Sequence, residues 1–301
     1  MIDLLRIGTR GSPLALAQAR LVAEALRDTH GWGPERIEIV PMTTTGDVTD
    51  RPIAELGGKA VWTKELDRAL LDGVTDCSVH SMKDVETIRP PELVIAAMLK
   101  RADTRDRLIG AESIEALPQG ARVGTSSPRR AAQLLRRRPD LAIFPFRGNV
   151  QTRLRKLELG EVDATLLAAA GLERLEHPEI GAPLDLLPAP SQGAIGVEIL
   201  AGNRRLASLI EEIGHRPTEI CVMAERRFLE GLSGTCHSPV AALATLRAGQ
   251  IRLRAEILTE DGQSCEDVDV RFDADDEEAP RRLARELLAK AGPALRSLFA
   301  G

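Results

Sequence analysis

The sequence contains no tyrosine, and aromatic residues make up only 2% of it. Proteins that bind many bases or sugars stack them on aromatic side chains, so this scarcity argues against such binding. The net charge of −5 also argues against generic nucleic-acid binding by the whole chain. We therefore predict no nucleic-acid partner. A binder that uses only a local basic stretch is the alternative, and its DNA binding would depend steeply on salt.

Export and membrane signals are missing as well. Charged residues at Asp3, Arg6 and Arg10 interrupt the N-terminal stretch, and no apolar run approaches the ~20 residues of a membrane helix. The four cysteines are widely spaced and form no C-x-x-C pair, which predicts reduced thiols rather than a disulfide framework. We expect a cytoplasmic protein that does not enter a membrane.

Common cofactor and metal motifs are absent too. The sequence contains no G-x-G-x-x-G, Walker loop or H-E-x-x-H, so the usual nucleotide and zinc hypotheses lack support. His80 and His237 have no metal-ligand spacing around them, and we expect His80 to lie buried in its strand. No metal site is predicted.

The first two thirds of the sequence alternate strand-like and helix-like stretches. "LLRIGTR" predicts a strand, and Ser12 and Pro13 are typical of the cap and first position of a following helix. The pattern restarts with the strand "ARVGTSS" and a helix from Pro128. This alternation predicts parallel α/β layers, and a short echo between residues 8–13 and 124–128 suggests two similar halves. From about residue 216, helix and antiparallel-strand patterns predict a small α+β domain.

Basic residues are concentrated in the middle of this acidic chain. Residues 122–156 contain ten basic residues and one acidic residue. Arg129 and Arg130 directly follow the first position of a predicted helix, where a cation is unfavourable by roughly 0.3–1 kcal/mol. An anion held between these arginines and the free N–H groups would make the placement favourable. The stretch therefore indicates a carboxylate or phosphate site, with a solvated helix face as the alternative.

Other charged residues follow predicted strands, where ligands bind to open α/β sheets. Asp84 is the only carboxylate among them and is our candidate general acid or base. An ordinary exposed pair with Lys83 is the alternative. Cations at or just after strand ends are Arg10, Lys83, Arg129, Arg130, Arg147 and, one helical turn further on, Arg153.

Cys236 lies in "SGTCHSPV", a predicted loop between a helix and a strand. A loop thiol can be a nucleophile or a covalent attachment point. A small half-buried cysteine is the alternative, and we expect it for Cys77, Cys221 and Cys265.

Nine stretches, in this order, resemble the porphobilinogen deaminase (hydroxymethylbilane synthase) family along essentially the whole chain. They are "RIGTRGSPLALAQA", "GDV", "GGKAVWTKELDRALL", "VHSMKDV", "VGTSSPRRAAQL", "FRGNVQTRL", "LAAAGLERL", "LPAPSQGAIGVE" and "GTCHSPV". The resemblance implies an α/β fold with two periplasmic-binding-protein-like domains flanking a cleft, plus a small α+β C-terminal domain. The implied domains are residues 1–100 with 194–213, residues 101–193 and residues 216–301.

The resemblance also implies a chemistry. A dipyrromethane cofactor would be attached to Cys236 through a thioether. Four porphobilinogen molecules would be added head to tail, each with loss of ammonia, and water would release the linear tetrapyrrole hydroxymethylbilane, an intermediate of haem biosynthesis. Asp84 would assist amine departure, stabilise the azafulvene cation and help to remove the pyrrole proton.

The remaining implied site residues bind acetate and propionate groups or belong to a lid. The implied cofactor-binding set is Cys236, Lys83, Asp84, Ser127, Arg129, Arg130, Arg147 and Arg153. The implied substrate-binding set is Arg10, Ser12, Arg147, Arg153, Arg174 and Gln192. Lys59 and Trp62 belong to a stretch that resembles the family's mobile lid.

The sequence departs from the family pattern at several positions. Thr235 stands where glycine is usual and would be strained if that position needs a positive φ. Ala60 replaces glycine, Glu86 replaces proline and Pro128 replaces leucine, while Trp62 stands where phenylalanine is common.

The alternative function is a non-enzymatic anion-binding protein of the solute-receptor type. Asp84 and the domain that carries Cys236 argue against it. We expect a monomer, because no long apolar helix face is left over.

Overall fold

The computed structural model describes residues 3–43, 63–235 and 237–299. The chain divides into two compact units, Met1–Ala102 with Ala194–Glu219 and Asp103–Gly193 with Ile220–Gly301. The three-domain division made from the sequence stays a prediction.

Strands and helices alternate through most of the described chain. The strands are β1 (Leu5–Arg10), β2 (Ile37–Met42), β3 (Cys77–Ser81), β4 (Leu93–Met98), β5 (Asp106–Ile109), β6 (Arg122–Gly124), β7 (Ala142–Phe144), β8 (Ala164–Ala168), β9 (Ala182–Leu184), β10 (Ile195–Leu200), β11 (Val240–Arg247), β12 (Gln250–Leu258) and β13 (Cys265–Asp273). The helices are α1 (Pro13–His30), α2 (Lys64–Leu71), α3 (Pro128–Arg137), α4 (Val150–Glu158), α5 (Ala169–Arg174), α6 (Arg204–Glu211), α7 (Arg216–Gly231), α8 (Ala279–Lys290) and α9 (Pro293–Ser297).

The first unit contains a sheet whose described strands follow the order β2-β1-β3-β10-β4. β1 is parallel to β2 and β3, whereas β10 is antiparallel to both β3 and β4. The expectation of purely parallel layers is therefore wrong at β10. This strand joins the sheet after the chain has passed through residues 103–193, so its direction depends on that long return and not on a local strand-helix-strand unit.

The second unit repeats this arrangement in a sheet with the described order β7-β6-β8-β5-β9. β6 is parallel to β7 and β8, and β5 is antiparallel to both of its neighbours. The prediction of two similar halves agrees with this shared pattern of strand directions. β5 and β9, of four and three residues, are not predicted from the sequence.

Helix α1 shows how the sequence sets local structure in the first unit. The Ser12 hydroxyl accepts a hydrogen bond from the N–H of Ala15 at 3.3 Å, and Gly31 ends the helix with a φ of 63°. Val22 and Leu26 lie one turn apart on its buried face and pack into the aliphatic core of the sheet. Burying each such side chain stabilises the fold by roughly 1.5–3 kcal/mol.

The C-terminal part of the second unit is an antiparallel sheet in the order β11-β12-β13. Phe228 of α7 and residues of α8 pack with this sheet in an aliphatic core. The antiparallel strands and the closing helix agree with the sequence expectation. No helix within the described residues combines the length and apolar character of a membrane span.

Candidate functional site

Three of the predicted site residues line one pocket in the first unit: Arg10, Ser12 and Asp84. Arg10 ends β1, Ser12 caps α1, and Asp84 ends the 3₁₀ turn Met82–Asp84 that follows β3. Because β1 and β3 are parallel neighbours, their carboxyl ends meet at one edge of the sheet. The fold thus brings a guanidinium group, a helix start and a carboxylate together.

The Asp84 turn is held by the residue two positions before it. Met82 is fully buried, and its N–H donates to the carbonyl of Ala194 at 3.1 Å. A Cβ at Gly196 would overlap the Met82 sulfur, so glycine is needed there for this packing. Burial of Met82 fixes the turn while Asp84 itself stays half-buried.

The pocket also contains polar residues that the sequence analysis did not select. Gln18 is 2% exposed, and its amide is within 2.8 Å of the Ser81 hydroxyl. His80 and Thr63 line the same pocket. A signal for Gln18 was present, because it is a polar residue on the otherwise apolar face of α1. The expectation that His80 is buried is confirmed.

In the second unit, Arg129 and Arg130 converge on one buried carboxylate. Arg129 Nη1 lies 2.6 Å from Asp106 Oδ2, and Arg130 Nη2 lies 2.7 Å from Asp106 Oδ1. Burial opposes ionisation of Asp106, but the two guanidinium charges outweigh it and hold the pKa of Asp106 well below its usual range. Burial also lowers the pKa of Arg129. An internal anion therefore lies at this helix start, and these arginines are not a solvated face.

The arginine pair has donor capacity beyond Asp106. Within the described residues, the Nε–H groups of Arg129 and Arg130 are buried and have no hydrogen-bond partner. Two guanidinium groups facing one carboxylate also leave an excess of positive charge. These are the properties that a further carboxylate requires, so the donor set fits the acidic side chains of a dipyrromethane.

Gln192 contacts the same carboxylate, and Arg174 binds the residue that follows Gln192. Gln192 Nε2 donates to Asp106 Oδ1 at 2.9 Å, and Arg174 Nη2 donates to the carbonyl of Gly193 at 2.7 Å. Burial lowers the pKa of Arg174 to about 10. Ser191 has a φ of 67° and Gly193 one of 84°, so the chain makes a tight turn here. The cluster's anion, Asp106, was missed by the sequence analysis.

The other predicted cations occupy less enclosed positions. Arg147 is half-buried, and Arg153 in α4 donates from Nε to the carbonyl of Gly148 at 2.9 Å. Lys83 is half-buried beside Asp84. Ser127 caps α3 by accepting from the N–H of Arg130 at 3.4 Å.

Three predicted residues, Cys236, Lys59 and Trp62, lie outside the described residues, as does Ala60. Thr235 is described, and it is not among the residues with a positive φ, so the suggested strain is absent there. Gly234 has no positive φ either; a Cβ there would meet the Leu229 side chain at 2.6 Å. In the part of the chain that is described, no group of His, Cys, Asp or Glu is arranged to hold a metal ion.

Two family models match the chain. "Porphobilinogen deaminase, dipyromethane cofactor binding domain" matches residues 5–208, and "Porphobilinogen deaminase, C-terminal domain" matches residues 219–289. The porphobilinogen deaminase of Sphingopyxis alaskensis is 54% identical over 98% of this chain and 96% of its own. That of Paracoccus denitrificans is 52% identical over 86% of this chain and 85% of its own.

Two solved structures are more distant. The BvgS VFT2 domain of Bordetella pertussis is 16% identical over 70% of this chain and 87% of its own, with a TM-score of 0.42. Immunogenic lipoprotein A of Vibrio vulnificus is 13% identical over 71% of this chain and 96% of its own, with a TM-score of 0.43. At these values the likeness indicates nothing about function.

Proposed function

Since this chain belongs to the porphobilinogen deaminase family, we propose that Asp84 is its catalytic carboxylate and that Cys236 carries its dipyrromethane cofactor. Membership makes the chain a transferase of tetrapyrrole and haem biosynthesis that acts on porphobilinogen and uses a dipyrromethane cofactor. It does not support the alternative of a non-enzymatic solute-receptor-type protein.

The finer statement of the reaction is part of the proposal. Four porphobilinogen molecules are added in turn, and water then releases hydroxymethylbilane. In each addition the carbon–nitrogen bond of the protonated aminomethyl group breaks, a carbon–carbon bond forms, and ammonia and a pyrrole proton leave. The cytoplasmic location and the monomeric state stay predictions.

The observation that supports this role for Asp84 most directly is its pocket. Arg10 and the Ser12 helix start offer donors to the two carboxylates of a porphobilinogen molecule, while Asp84 lies in the same pocket. A single carboxylate placed among donors for acidic groups is suited to act on a substrate that carries acids and an amine.

The proposed chemistry of Asp84 has three parts. Its carboxylate accepts a hydrogen bond from the protonated amine that departs as ammonia, and its negative charge then stabilises the cation that this departure leaves on the pyrrole. The same carboxylate receives the proton that the second pyrrole loses when the new bond is complete. One positioned group therefore serves the bond-breaking and bond-making halves of each addition.

The second unit would hold the acidic side chains of the cofactor. Arg129 and Arg130 have buried Nε–H donors without partners within the described residues. Arg147, Arg153 and Ser127 would supply further donors. When bound, the dipyrromethane supplies the pyrrole to which the first substrate is attached.

Two measurements test these roles together. The intact mass of the purified protein is compared with that of Cys236→Ser, and porphobilinogen addition is followed by mass in wild type and Asp84→Asn. We expect an adduct of two pyrrole units on the wild type and on Asp84→Asn, and none on Cys236→Ser. Asp84→Asn should slow addition by about 10²–10⁴-fold, the usual contribution of a general acid or base.

The matched control is Asp72→Asn, an exposed carboxylate at the end of α2 whose change should leave addition at the wild-type rate. Wild-type addition by Asp84→Asn would refute the role of Asp84. An adduct that persists on Cys236→Ser would refute the attachment point. A wild type that neither carries an adduct nor gains mass with porphobilinogen would overturn the proposed function.

A further inference from the structure

A buried ionic cluster in the first unit centres on Arg89, whose side chain is 10% exposed. Its Nε and Nη2 lie 2.8 and 2.9 Å from the two carboxylate oxygens of Glu198. Its Nη1 lies 2.6 Å from Glu86 Oε2, and its Nη2 lies 2.5 Å from Asp67 Oδ1. One guanidinium group therefore joins carboxylates from β10, from α2 and from the segment that follows β3.

Two further members of this cluster reach the pocket that contains Asp84. His80 Nε2 lies 3.1 Å from Glu198 Oε2, and the Thr63 hydroxyl lies 3.0 Å from Glu86 Oε2. Both His80 and Thr63 line the pocket. The cluster is thus the immediate backing of the pocket wall.

The charges in the cluster depend on Arg89. Glu198 is fully buried, and burial alone would favour its neutral form, yet His80 and Arg89 hold its pKa at about 2. Burial raises the pKa of Asp67 although Arg89 opposes the shift. Without the guanidinium group, these carboxylates would lose their principal partner and would become protonated or rehydrated, and in either case the ionic ties between the segment, β10 and α2 would be lost.

The segment that these contacts hold in place comprises residues 82–89 and contains Asp84. Its first end is fixed by the hydrogen bond from Met82 to Ala194, just before β10. Its last end is fixed by the bidentate pair of Arg89 with Glu198 in β10. Asp84 lies between these two anchors.

We propose that Arg89 is a positioning residue for Asp84, because it ties the 82–89 segment to β10 and α2 and so fixes where the carboxylate lies in the pocket. The proposal rests on the proposed function of Asp84. Arginine suits the task because its planar fork binds one carboxylate with two donors and still reaches two others, which the single ammonium group of lysine cannot do.

The test measures the rate of porphobilinogen addition in four proteins: wild type, Arg89→Lys, Asp84→Asn and the double variant. Cofactor loading by intact mass and the thermal midpoint are recorded for each. Arg89→Lys keeps the positive charge but lacks the planar arrangement of donors that binds both oxygens of Glu198. We expect it to slow addition at least about tenfold, as a small misplacement of a catalytic group does, with KM changed less than about twofold.

The double variant separates positioning from general support of the fold. If Arg89 acts through Asp84, the change Arg89→Lys should slow addition less than about twofold once Asp84 is already asparagine. A structural role alone would slow both backgrounds by the same factor, and that result would overturn the proposal. So would a wild-type rate for the single variant Arg89→Lys.

Two additional variants keep the test decisive. Glu86→Gln removes the charge of one of the carboxylates that bind Arg89, at a half-buried position. It should slow addition by a smaller factor than Arg89→Lys does. Arg68→Leu changes an arginine that is 84% exposed on α2 and should have no effect. Failure of the proposed role of Asp84 is distinct, because then Asp84→Asn itself would add porphobilinogen at the wild-type rate; that outcome would overturn the roles of both residues.

Discussion

In the first unit the turn from β1 into α1 opens onto a pocket, whereas in the second unit the corresponding turn from β6 into α3 encloses a buried carboxylate. Both turns contain a serine cap followed by proline, and the described strands of both sheets have the same pattern of directions. The next two residues differ: Leu14 and Ala15 line the pocket, while Arg129 and Arg130 bind Asp106. The side chains at these two positions therefore distinguish a helix start that lines a pocket, in the first unit, from one whose side chains pair with a buried carboxylate, in the second.

The antiparallel strand of each sheet shows a second contrast. β10 carries Glu198 and β5 carries Asp106, and both carboxylates are fully buried. Glu198 belongs to a cluster in which acids outnumber arginine, whereas Asp106 belongs to one in which arginines outnumber the acid. A buried charge must be paired, but the sign of the excess charge in a buried cluster can differ from one cluster to another. The acidic surplus lies behind Asp84, and the basic surplus suits the binding of carboxylates.

Of the predictions that test the contrast between these two clusters, the one with the largest expected effect concerns the stability of the protein. Asp106→Asn leaves Arg129 and Arg130 buried without their shared counter-charge, so we expect it to lower the free energy of unfolding by about 3–5 kcal/mol. Urea unfolding measures the change. Asp163→Asn is the matched control, since its pair with Arg122 is exposed and should contribute far less to stability. Equal losses in the two variants would contradict the contrast.

Local patterns identified much of what the two halves share. Ser12 and Gly31 mark the ends of α1 as predicted, and the strand-end positions of Arg10 and Asp84 were enough to place both in one pocket. These features depend on residues close in sequence or on the general rule that parallel strands end at one edge.

The direction and partners of distant segments could not be predicted in this way. β10 runs antiparallel because of where the chain returns, which no local period encodes. Asp106 lies 23 residues before Arg129 in a four-residue strand, so the sequence around the arginines gives no indication that this carboxylate is their partner. The anionic ligand inferred at this helix start stays a prediction, and the internal carboxylate that pairs with both arginine side chains was not foreseen.

Acidification should distinguish the two buried carboxylates. The pKa of Glu198 falls from a usual 4.5 to about 2, so its contribution to stability is complete above about pH 4.5 and is lost as the pH falls toward about 2. Asp106 is held still lower and should keep its charge longer. The shift of Glu198 corresponds to roughly 3 kcal/mol.

The comparison of wild type with Glu198→Gln isolates this loss. Urea unfolding from about pH 7 down to about pH 3 should show a shallower fall for the variant, because its amide takes up no proton. Asp67, whose pKa is raised by burial and further by the charge of Glu198, acts in the opposite direction, and this opposing contribution is smaller in the variant because Glu198→Gln removes one of its causes. Parallel pH profiles would show that Glu198 is not the group that titrates.

The smallest expected effect concerns the two serine caps, which bind their helix starts alike at 3.3 and 3.4 Å. Ser12→Ala and Ser127→Ala should each lower the free energy of unfolding by about 1 kcal/mol.

The functional effects of these two serine substitutions should differ, because Ser12 lines the pocket with Asp84, whereas Ser127 caps the helix whose arginines already bind Asp106. We therefore expect Ser12→Ala to raise KM for porphobilinogen and Ser127→Ala instead to lower the fraction of protein that carries the cofactor, as measured by intact mass. A rise in KM of the same size in both variants would mean that the two turns serve the substrate alike, and the contrast between an open and a filled helix start would then not extend to function.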